Sequence, residues 1–555
     1  MEIYRFLFRM IFGVLRGFWL AARWLRPYIF GDGRRRNARA IGSHGTARFA
    51  TRWELLFGGA LTGKGPVVGK GPWGRLVRFT RDGLVMVFAS TGSGKGLGVV
   101  IPTLLDYPGS ILVTDPKGEN FAITSRHRAK RGPVYMLNPT DTAASHRFNP
   151  MDVIRVGTPM EADDAGALAR LMIKPEPNEA PHWNDKATSL LTALILHALS
   201  GPEALRTLAH VRSMSVGGAL EFRELLVEIR DTSQSVKAAE IAGGFIGTIP
   251  QQPGDKAGEF ESILSTLHKA TEPWSRGSPA GVLSSESTFQ LTDLIHKVCT
   301  LYLCVDEELL PVYDRWLRVM TGCALNAIMR SKYAPASKHK VVLLLDEVAV
   351  LGPLDMLEKQ SGLLRAYCIP MLIWQSLPQA AAVYGRERAD AFLANASCRV
   401  FFGVNDHITG EHVATLIGNT TTMSASQGVS KSSEAWLRQN KQEGESESGY
   451  WLLDPAEVQR LPVTRAVVKF RDIPYCALIK RVDYRRILSW RGRWDRWRAS
   501  APASGPDRHG PPSAPARTPA PSAASSAPSP AGGQAPRLAL PLPPQTPAQI
   551  PASGL

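Results

Sequence analysis

A glycine-rich loop between an apolar strand and a helix constrains the fold of this 555-residue chain more than any other feature. Residues 84–89 form an apolar run of strand length, and residues 97–105 have a helical pattern. Between them, residues 89–96 spell A-S-T-G-S-G-K-G. Glycines in such a unit let backbone N–H groups turn inward around a phosphate, and the helix N-terminus adds partial positive charge. The unit therefore predicts a parallel α/β domain that binds a phosphate.

Nucleotide binding by this loop depends on a small set of residues. Lys95 is predicted to reach the β- and γ-phosphates of ATP. Gly96 stands where the common pattern has Ser or Thr, so another group or a water must replace the hydroxyl that usually binds Mg²⁺. A glycine-rich turn without a ligand is the alternative. The predicted nucleotide-binding residues are Ser90, Thr91, Gly92, Ser93, Gly94, Lys95, Gly96 and Asp115.

A second apolar strand ends in two adjacent carboxylates, because residues 341–347 spell V-V-L-L-L-D-E. Asp346, at the buried strand end, is predicted to hold Mg²⁺ through water. Glu347 projects one residue further and is predicted to act as the catalytic base that polarises the attacking water. A D-E pair after a strand is common by itself, but its combination with Lys95 indicates an ATPase.

Three further side chains are predicted to belong to the same site. Gln375 follows a strand at residues 371–374, where RecA-like motors place a polar residue that senses the γ-phosphate. Arg365, in the predicted helix before that strand, could act on a neighbouring subunit as an arginine finger; an ordinary surface ion pair is the alternative. Asp115 ends a strand at residues 110–114 and is predicted to support the nucleotide, to form the following turn, or both.

The order of elements predicts an α/β fold, a RecA-like P-loop NTPase parallel sheet with an inserted all-α domain. Buried strand-length runs alternate with helices in residues 31–155 and 296–498, the two parts of the expected nucleotide-binding domain. Residues 156–295 have helical patterns without an intervening strand. Residues 465–470 and 477–479 are predicted to form a late hairpin.

Both ends of the chain differ from this pattern. Residues 1–30 are apolar, but four of their arginines fall on one narrow arc of a helix. An amphipathic helix lying in the membrane surface is expected, rather than a plain transmembrane helix or a secretory signal. Packing on the chain's own domain and single-pass insertion are the alternatives. Residues 499–555 are rich in Ala, Pro and Ser and are predicted to be disordered.

Composition narrows the class of partner. The formal net charge of +16 favours DNA or an anionic membrane surface, because each basic residue that meets a phosphate releases counterions. A generally basic proteome is the alternative. Residues 484–498 alternate Arg with Trp and could bind single strands by stacking or form an amphipathic helix. The six cysteines include no C-x-x-C pair and are predicted to be buried, reduced thiols.

Besides the glycine-rich loop, a series of further motifs occurs along the chain. They are S-H-G-T-A-R-F-A (43–50), V-I-P-T-L-L (100–105), T-D-P-K-G-E-N (114–120), F-N-P (148–150), L-L-L-D-E-V-A-V-L-G (343–352), Q-S-L (375–377), I-G-N-T-T (417–421) and D-P-A-E-V-Q-R-L-P (454–462). In this order the motifs resemble those of the TraG/VirD4 coupling proteins of type IV secretion systems. The resemblance covers roughly residues 41–480, and in that family Gly96 is the usual residue rather than a defect.

This resemblance implies a homo-hexameric ATPase that uses ATP and Mg²⁺. Such a protein hands a relaxase–DNA complex, or effector proteins, to the type IV secretion channel, and the helical domain recognises this cargo. Family members usually begin with two transmembrane helices, whereas this chain has one arginine-bearing segment. A peripheral or single-pass position at the cytoplasmic face of the inner membrane is therefore expected. The alternative function is a nucleotide-gated docking adaptor with little hydrolysis.

Overall fold

An eleven-stranded sheet is the largest element of the fold. The computed structural model describes residues 45–175, 181–249, 258–330, 337–358, 361–430 and 440–497. The predicted amphipathic helix (1–30) and the predicted disordered tail (499–555) lie outside these residues. The strands are β1 (Val67–Lys70), β2 (Leu76–Arg78), β3 (Leu84–Ala89), β4 (Ile111–Asp115), β5 (Val134–Leu137), β6 (Thr300–Cys304), β7 (Val341–Leu345), β8 (Cys368–Trp374), β9 (Ala396–Phe402), β10 (Asn419–Ser430), β11 (Asn440–Trp451), β12 (Arg465–Phe470) and β13 (Ala477–Lys480).

The strand order confirms the predicted α/β class. In the large sheet the order is β2-β1-β13-β12-β9-β3-β8-β7-β4-β6-β5. Neighbours from β9 to β5 are parallel, and the strands from β12 to β2 pair antiparallel along one side. The predicted late hairpin is the β12–β13 pair.

Helices cover the sheet and fill the interval between β5 and β6. In the described part of that interval the chain forms only helices and loops. The α-helices are Arg52–Phe57, Ile101–Asp106, Glu119–Ala129, Glu161–Met172, Pro181–Ser200, Leu208–Ser215, Ala219–Thr232, Val236–Ile246, Gly258–Thr271, Pro279–Leu283, Asp293–His296, Asp314–Arg330, Asp355–Glu358, Ser361–Leu364, Leu377–Tyr384, Arg386–Asn395, His407–Ile417 and Pro455–Gln459.

Both faces of the sheet are buried, as the continuous apolar strands require. In β3, Leu84, Met86 and Phe88 face one hydrophobic cluster, and Val85 and Val87 face the other. Alternate side chains of a strand point to opposite faces, so helices must pack on each side. The six cysteines are buried and unpaired.

Two of the family-like motifs pack against each other. Gly45, in the motif at 43–50, lies against Asn419, and its carbonyl accepts hydrogen bonds from the Thr421 N–H at 3.0 Å and the Thr421 hydroxyl at 2.9 Å. The Ala47 N–H donates to Asn419 O at 3.0 Å. Asn419 begins β10, which pairs with β11 in a long hairpin that the sequence analysis did not predict.

The Arg/Trp run after β13 is described over residues 484–497, and these residues do not form the amphipathic helix that was one of the two predictions. Its described part forms short 3-10 turns, Tyr484–Arg486 and Leu488–Trp490. Tyr484 and Trp490 are buried against Ile101 and Leu105, so neither ring is available for stacking bases. Among the described residues, no helix is long and apolar enough to cross a membrane.

Candidate active site

Three parallel strands bring the predicted site residues to one edge of the sheet. The loop at 90–96 follows β3, Asp346 and Glu347 follow β7, and Gln375 follows β8. β8 pairs with β3 on one side and with β7 on the other, in parallel both times. Parallel strands have their carboxyl ends at the same edge, so the Lys95 and Glu347 side chains meet although they are 252 residues apart.

The glycine-rich loop has a conformation that glycine adopts readily. Gly92 and Gly94 have φ angles of +77° and +81°, which strain other L-residues. Apart from the adjacent backbone and chain neighbours, no heavy atom of the described residues lies within 4 Å of where a β-carbon on Gly92 or Gly96 would be. The Ser93 hydroxyl donates to Ser90 O at 2.5 Å and tightens the turn. The loop therefore combines backbone N–H groups with open space, as a phosphate requires.

Lys95 lies between the two carboxylates. Its Nζ is 3.2 Å from Asp346 Oδ1 and donates a hydrogen bond to Glu347 Oε1. Burial acts to lower the pKa of Lys95, but Asp346 and Glu347 outweigh it, so the pKa is raised and the ammonium stays charged. Burial raises the pKa of Asp346, although Lys95 opposes this. The Lys95 ammonium is therefore held firmly between the two carboxylates, and a further positive charge would stabilise the buried carboxylate of Asp346.

Glu347 is held in a strained backbone conformation. Its φ and ψ angles are +54° and +48°, in the left-handed region that non-glycine residues rarely occupy. The Gln375 side-chain amide donates to Glu347 Oε2 at 3.1 Å. Strain of this kind persists where surrounding contacts fix the backbone, and it concentrates at functional sites.

Asp346 is fixed through its backbone by Thr114 at the end of β4. The Asp346 N–H donates to Thr114 Oγ1 at 2.7 Å, and the Thr114 hydroxyl donates to Asp346 O at 2.8 Å. Both residues are buried. The neighbouring strand therefore sets the position of the predicted metal-binding carboxylate.

Asp115 directs its hydrogen bonds to the turn that follows it. Its Oδ2 accepts from the Phe121 N–H at 2.8 Å, and its Oδ1 accepts from the Asn120 amide at 3.2 Å. Burial raises the pKa of Asp115 to about 6, and the charge of Asp346 acts in the same direction. The turn-forming role is present in the structure, whereas support of a nucleotide stays a prediction.

Arg365 lies at the opposite edge of the sheet from Lys95. It follows the helix Ser361–Leu364 rather than lying inside it, and it precedes β8, whereas Gln375 follows β8. The seven residues of β8 separate Arg365 from Gln375 by roughly 23 Å. Arg365 is exposed. It therefore cannot reach the site of its own chain, and a catalytic role requires a neighbouring subunit.

Comparison with known proteins places this geometry in a family. Residues 45–486 match the family described as Type IV secretory system Conjugative DNA transfer. The chain belongs to this family. VirD4 of Agrobacterium fabrum is 29% identical over 451 residues, covering 79% of this chain and 65% of VirD4. The conjugal transfer protein TraG of Escherichia coli is 28% identical over 462 residues, covering 76% of this chain and 71% of TraG. The chain thus spans about two thirds of the length of such relatives.

Solved structures of another protein have the same fold as this chain. The plasmid coupling protein TrwB, in complex with a non-hydrolysable ATP analogue, has a TM-score of 0.58 and 17% identity, with 79% of this chain and 93% of TrwB covered. TrwB with ADP and Mg²⁺ has a TM-score of 0.54 and 16% identity, with 79% and 94% covered. The predicted RecA-like P-loop fold is thereby confirmed.

Two residues beside the loop were missed by the sequence analysis. Gly403 follows β9, and its carbonyl accepts from the Ser90 hydroxyl at 2.5 Å. Arg481 follows β13, and its Nη1 donates to Ser93 O. Gly403 could have been found, because it follows an apolar strand as Gln375 does. Arg481 could not, because nothing in the sequence indicates that β13 is parallel to β3.

The site fits a magnesium ion that is held mainly through the substrate. Within the described residues, no three His, Cys, Asp or Glu side chains cluster as a metal-binding group. Mg²⁺ commonly uses one or two carboxylates together with phosphate oxygens and waters. Asp346 supplies such a carboxylate beside the loop, and Gly96 adds no side chain that would crowd the ion.

Proposed function

We propose that this chain is an ATPase of conjugative DNA transfer, which uses hydrolysis to deliver DNA to a type IV secretion channel. The observation that carries the proposal is the meeting of Lys95, Asp346, Glu347 and Gln375 beside a glycine-rich loop. The complexes of TrwB with an ATP analogue and with ADP and Mg²⁺ support ATP and Mg²⁺ as ligands.

In this proposal the loop binds the phosphates through backbone N–H groups, and Lys95 meets the β- and γ-phosphates. The nucleotide then competes with Glu347 and Asp346 for the Lys95 ammonium. Asp346 holds Mg²⁺ through water, and the ion supplies charge stabilisation to the phosphates. The further predicted contacts come from Ser90 to Gly96, with Asp115 fixing the adjacent turn.

Glu347 is the proposed catalytic base. Released from Lys95, its carboxylate accepts a proton from a water whose oxygen bonds to the γ-phosphorus. The bond from that phosphorus to the β–γ bridging oxygen breaks, and ADP and phosphate leave. In this proposal Gln375 orients the base and senses the γ-phosphate; its side-chain amide donates to Glu347 Oε2 at 3.1 Å, which supports the first role.

The proposed assembly is a homo-hexamer at the cytoplasmic face of the inner membrane. Arg365, exposed at the far edge of the sheet, acts as an arginine finger on the neighbouring subunit. The helical segment at 156–295 recognises the relaxase–DNA complex or effector proteins, and the excess positive charge supports contact with DNA. Residues 1–30 attach the chain to the membrane.

ATP hydrolysis by the full-length chain tests this function. Turnover is measured with and without single- and double-stranded DNA, for the wild type, Lys95→Ala and Glu347→Gln. We expect DNA-stimulated turnover in the wild type. Lys95→Ala loses nucleotide binding, whereas Glu347→Gln keeps binding and loses turnover by roughly 10²- to 10⁴-fold, the usual contribution of a general base.

The alternative predicts a different outcome. A nucleotide-gated docking adaptor would bind ATP through Lys95 but would turn it over no faster than Glu347→Gln. Gly96 is the observation that favours this alternative, because the loop lacks the usual Mg²⁺-binding hydroxyl. Wild-type turnover at the Glu347→Gln level would reject the ATPase and favour the adaptor.

A further inference from the structure

The residue after the last strand of the sheet lies against the glycine-rich loop. β13 is antiparallel to β12, β12 is antiparallel to β9, and β9 is parallel to β3. β13 therefore runs in the same direction as β3, and Arg481 emerges at the edge where the loop begins. The next residue, Val482, is fully buried against Ile101 and Leu105 in the helix after the loop, which holds Arg481 in place.

Arg481 contacts the loop through its guanidinium and the helical turn after the loop through its stem. Nη1 donates to Ser93 O. The stem crosses Gly98, where an added β-carbon would lie 2.5 Å from Arg481 Cγ and 2.8 Å from its Cδ. The guanidinium also lies over Gly94. Glycine at 94 and 98 therefore makes room for the arginine.

The charge of Arg481 is directed at the loop rather than at a carboxylate. The nearby Asp483 carboxylate bonds to Arg485 at 2.9 Å and lies 3.4 Å from Arg486. No ion pair joins Arg481 to a carboxylate within the described residues. Burial lowers the pKa of Arg481, and Asp483 partly offsets this. Arginine nevertheless keeps its proton in proteins, so a charged guanidinium lies beside the loop.

We propose that Arg481 is a positioning residue of the nucleotide site, which fixes the Ser93–Gly94 peptide in the orientation that binds phosphate. In a trans peptide the C=O and the following N–H point in opposite directions. Holding Ser93 O outward on Arg481 therefore turns the Gly94 N–H inward, towards the phosphates. This inference rests on the proposed function and adds a residue from the last strand to its binding site.

The test measures binding of a fluorescent methylanthraniloyl-ATP, with Mg²⁺, to the full-length chain. The variants are Arg481→Ala, Arg481→Lys, Gly98→Ala and the double variant Arg481→Ala/Gly98→Ala. A hydrogen bond from a charged donor typically gives about tenfold in an equilibrium constant, so Arg481→Ala is expected to weaken binding by about tenfold. Arg481→Lys recovers part of the loss. Arg491→Ala, which removes an exposed arginine of the same segment, is the matched control and binds like the wild type.

Gly98→Ala tests whether the position of the Arg481 side chain, and not only its presence, affects nucleotide binding. Its methyl group displaces the Arg481 stem while leaving every loop residue unchanged, so binding weakens in the wild-type background. In the Arg481→Ala background Gly98→Ala has little further effect on binding, because the arginine side chain is already absent. Thermal melting of each variant shows whether the fold is kept.

Two results would overturn the inference. Arg481→Ala that binds as tightly as the wild type rejects the positioning role, and so does a Gly98→Ala effect of equal size in both backgrounds. The proposed function is judged separately by the wild type and Lys95→Ala. If the wild type fails to bind, both proposals fall, whereas a binding wild type with unaffected Arg481 variants rejects Arg481 alone.

Discussion

Replacing Thr114 by valine removes both hydrogen bonds that hold the backbone of Asp346. The hydroxyl accepts from the Asp346 N–H at 2.7 Å and donates to Asp346 O at 2.8 Å, and Thr114 is only 1% exposed. Valine has nearly the same shape but offers neither a donor nor an acceptor. Two buried backbone groups are left without this partner, at about 1–3 kcal/mol each, so Thr114→Val should lower the free energy of unfolding by roughly 2–6 kcal/mol.

Thr192→Val is the matched control. Thr192 is also buried, but its hydroxyl donates only to Thr188 O at 2.7 Å, a carbonyl that already belongs to the helix Pro181–Ser200. We expect a loss below about 1 kcal/mol there.

Urea unfolding followed by tryptophan fluorescence gives the stability of each variant. Hydrogen exchange of the peptide that contains Asp346 reports the local effect, which should appear in Thr114→Val alone. Equal unfolding midpoints for the two variants, with unchanged protection of the Asp346 amide, would refute the reasoning.

Three other changes test separate parts of the structure. If Arg365 acts across a subunit boundary, Arg365→Ala and Lys95→Ala subunits should each lack ATP turnover, and mixing the two should restore part of it. ATPase assays of the mixtures check this. Mixtures as inactive as either component alone would contradict it. Burial raises the pKa of Asp115 to about 6, so the folded chain binds the extra proton between about pH 4 and 6 and its stability falls as pH rises through that window. Asp115→Asn should remove this pH dependence. Its free energy of unfolding relative to the wild type, measured by urea unfolding, should therefore be higher at pH 7 than at pH 4.5. The same difference at both pH values would contradict the raised pKa of Asp115. Arg318, 4% exposed, donates to Leu171 O at 3.0 Å and to Leu351 O and Pro353 O at 2.8 Å. Arg318→Met should therefore lower the free energy of unfolding by about 2–4 kcal/mol. Urea unfolding measures this against Arg491→Ala, which removes an exposed arginine, and equal unfolding midpoints for the two variants would count against the prediction.

Elements with a strong local signal were predictable from the sequence. β3 and β12 have the predicted boundaries, because each is a short, mainly apolar run closed by turn residues. The Lys95 loop and the Asp346–Glu347 pair carry chemistry in their own residue types. The structure places their side chains in contact, although their individual roles remain predictions.

Elements that depend on distant partners were not predictable. The β10 strand reads Thr-Thr-Thr-Met-Ser-Ala-Ser-Gln from Thr420, which is polar, and it is stabilised by pairing with β11. β8 begins three residues earlier than predicted, because Cys368 pairs with Val341 of the parallel strand β7. Thr114 and Arg481 act on the site through backbone atoms of other segments, which no residue pattern specifies.

The contacts around Glu347 also explain how the site is joined to the helical part of the chain. The residues after Glu347 form a 3-10 turn, Val348–Leu351, and Arg318 binds the carbonyls at its end. The same guanidinium binds Leu171 O, in the first long helix after β5. Lys174, just beyond that helix, donates to Val350 O at 3.1 Å and pairs with Asp314 at 2.6 Å. A shift of Glu347 would therefore strain charged hydrogen bonds that reach the predicted cargo-binding segment, because these bonds are buried or half-buried and cannot be replaced freely by water.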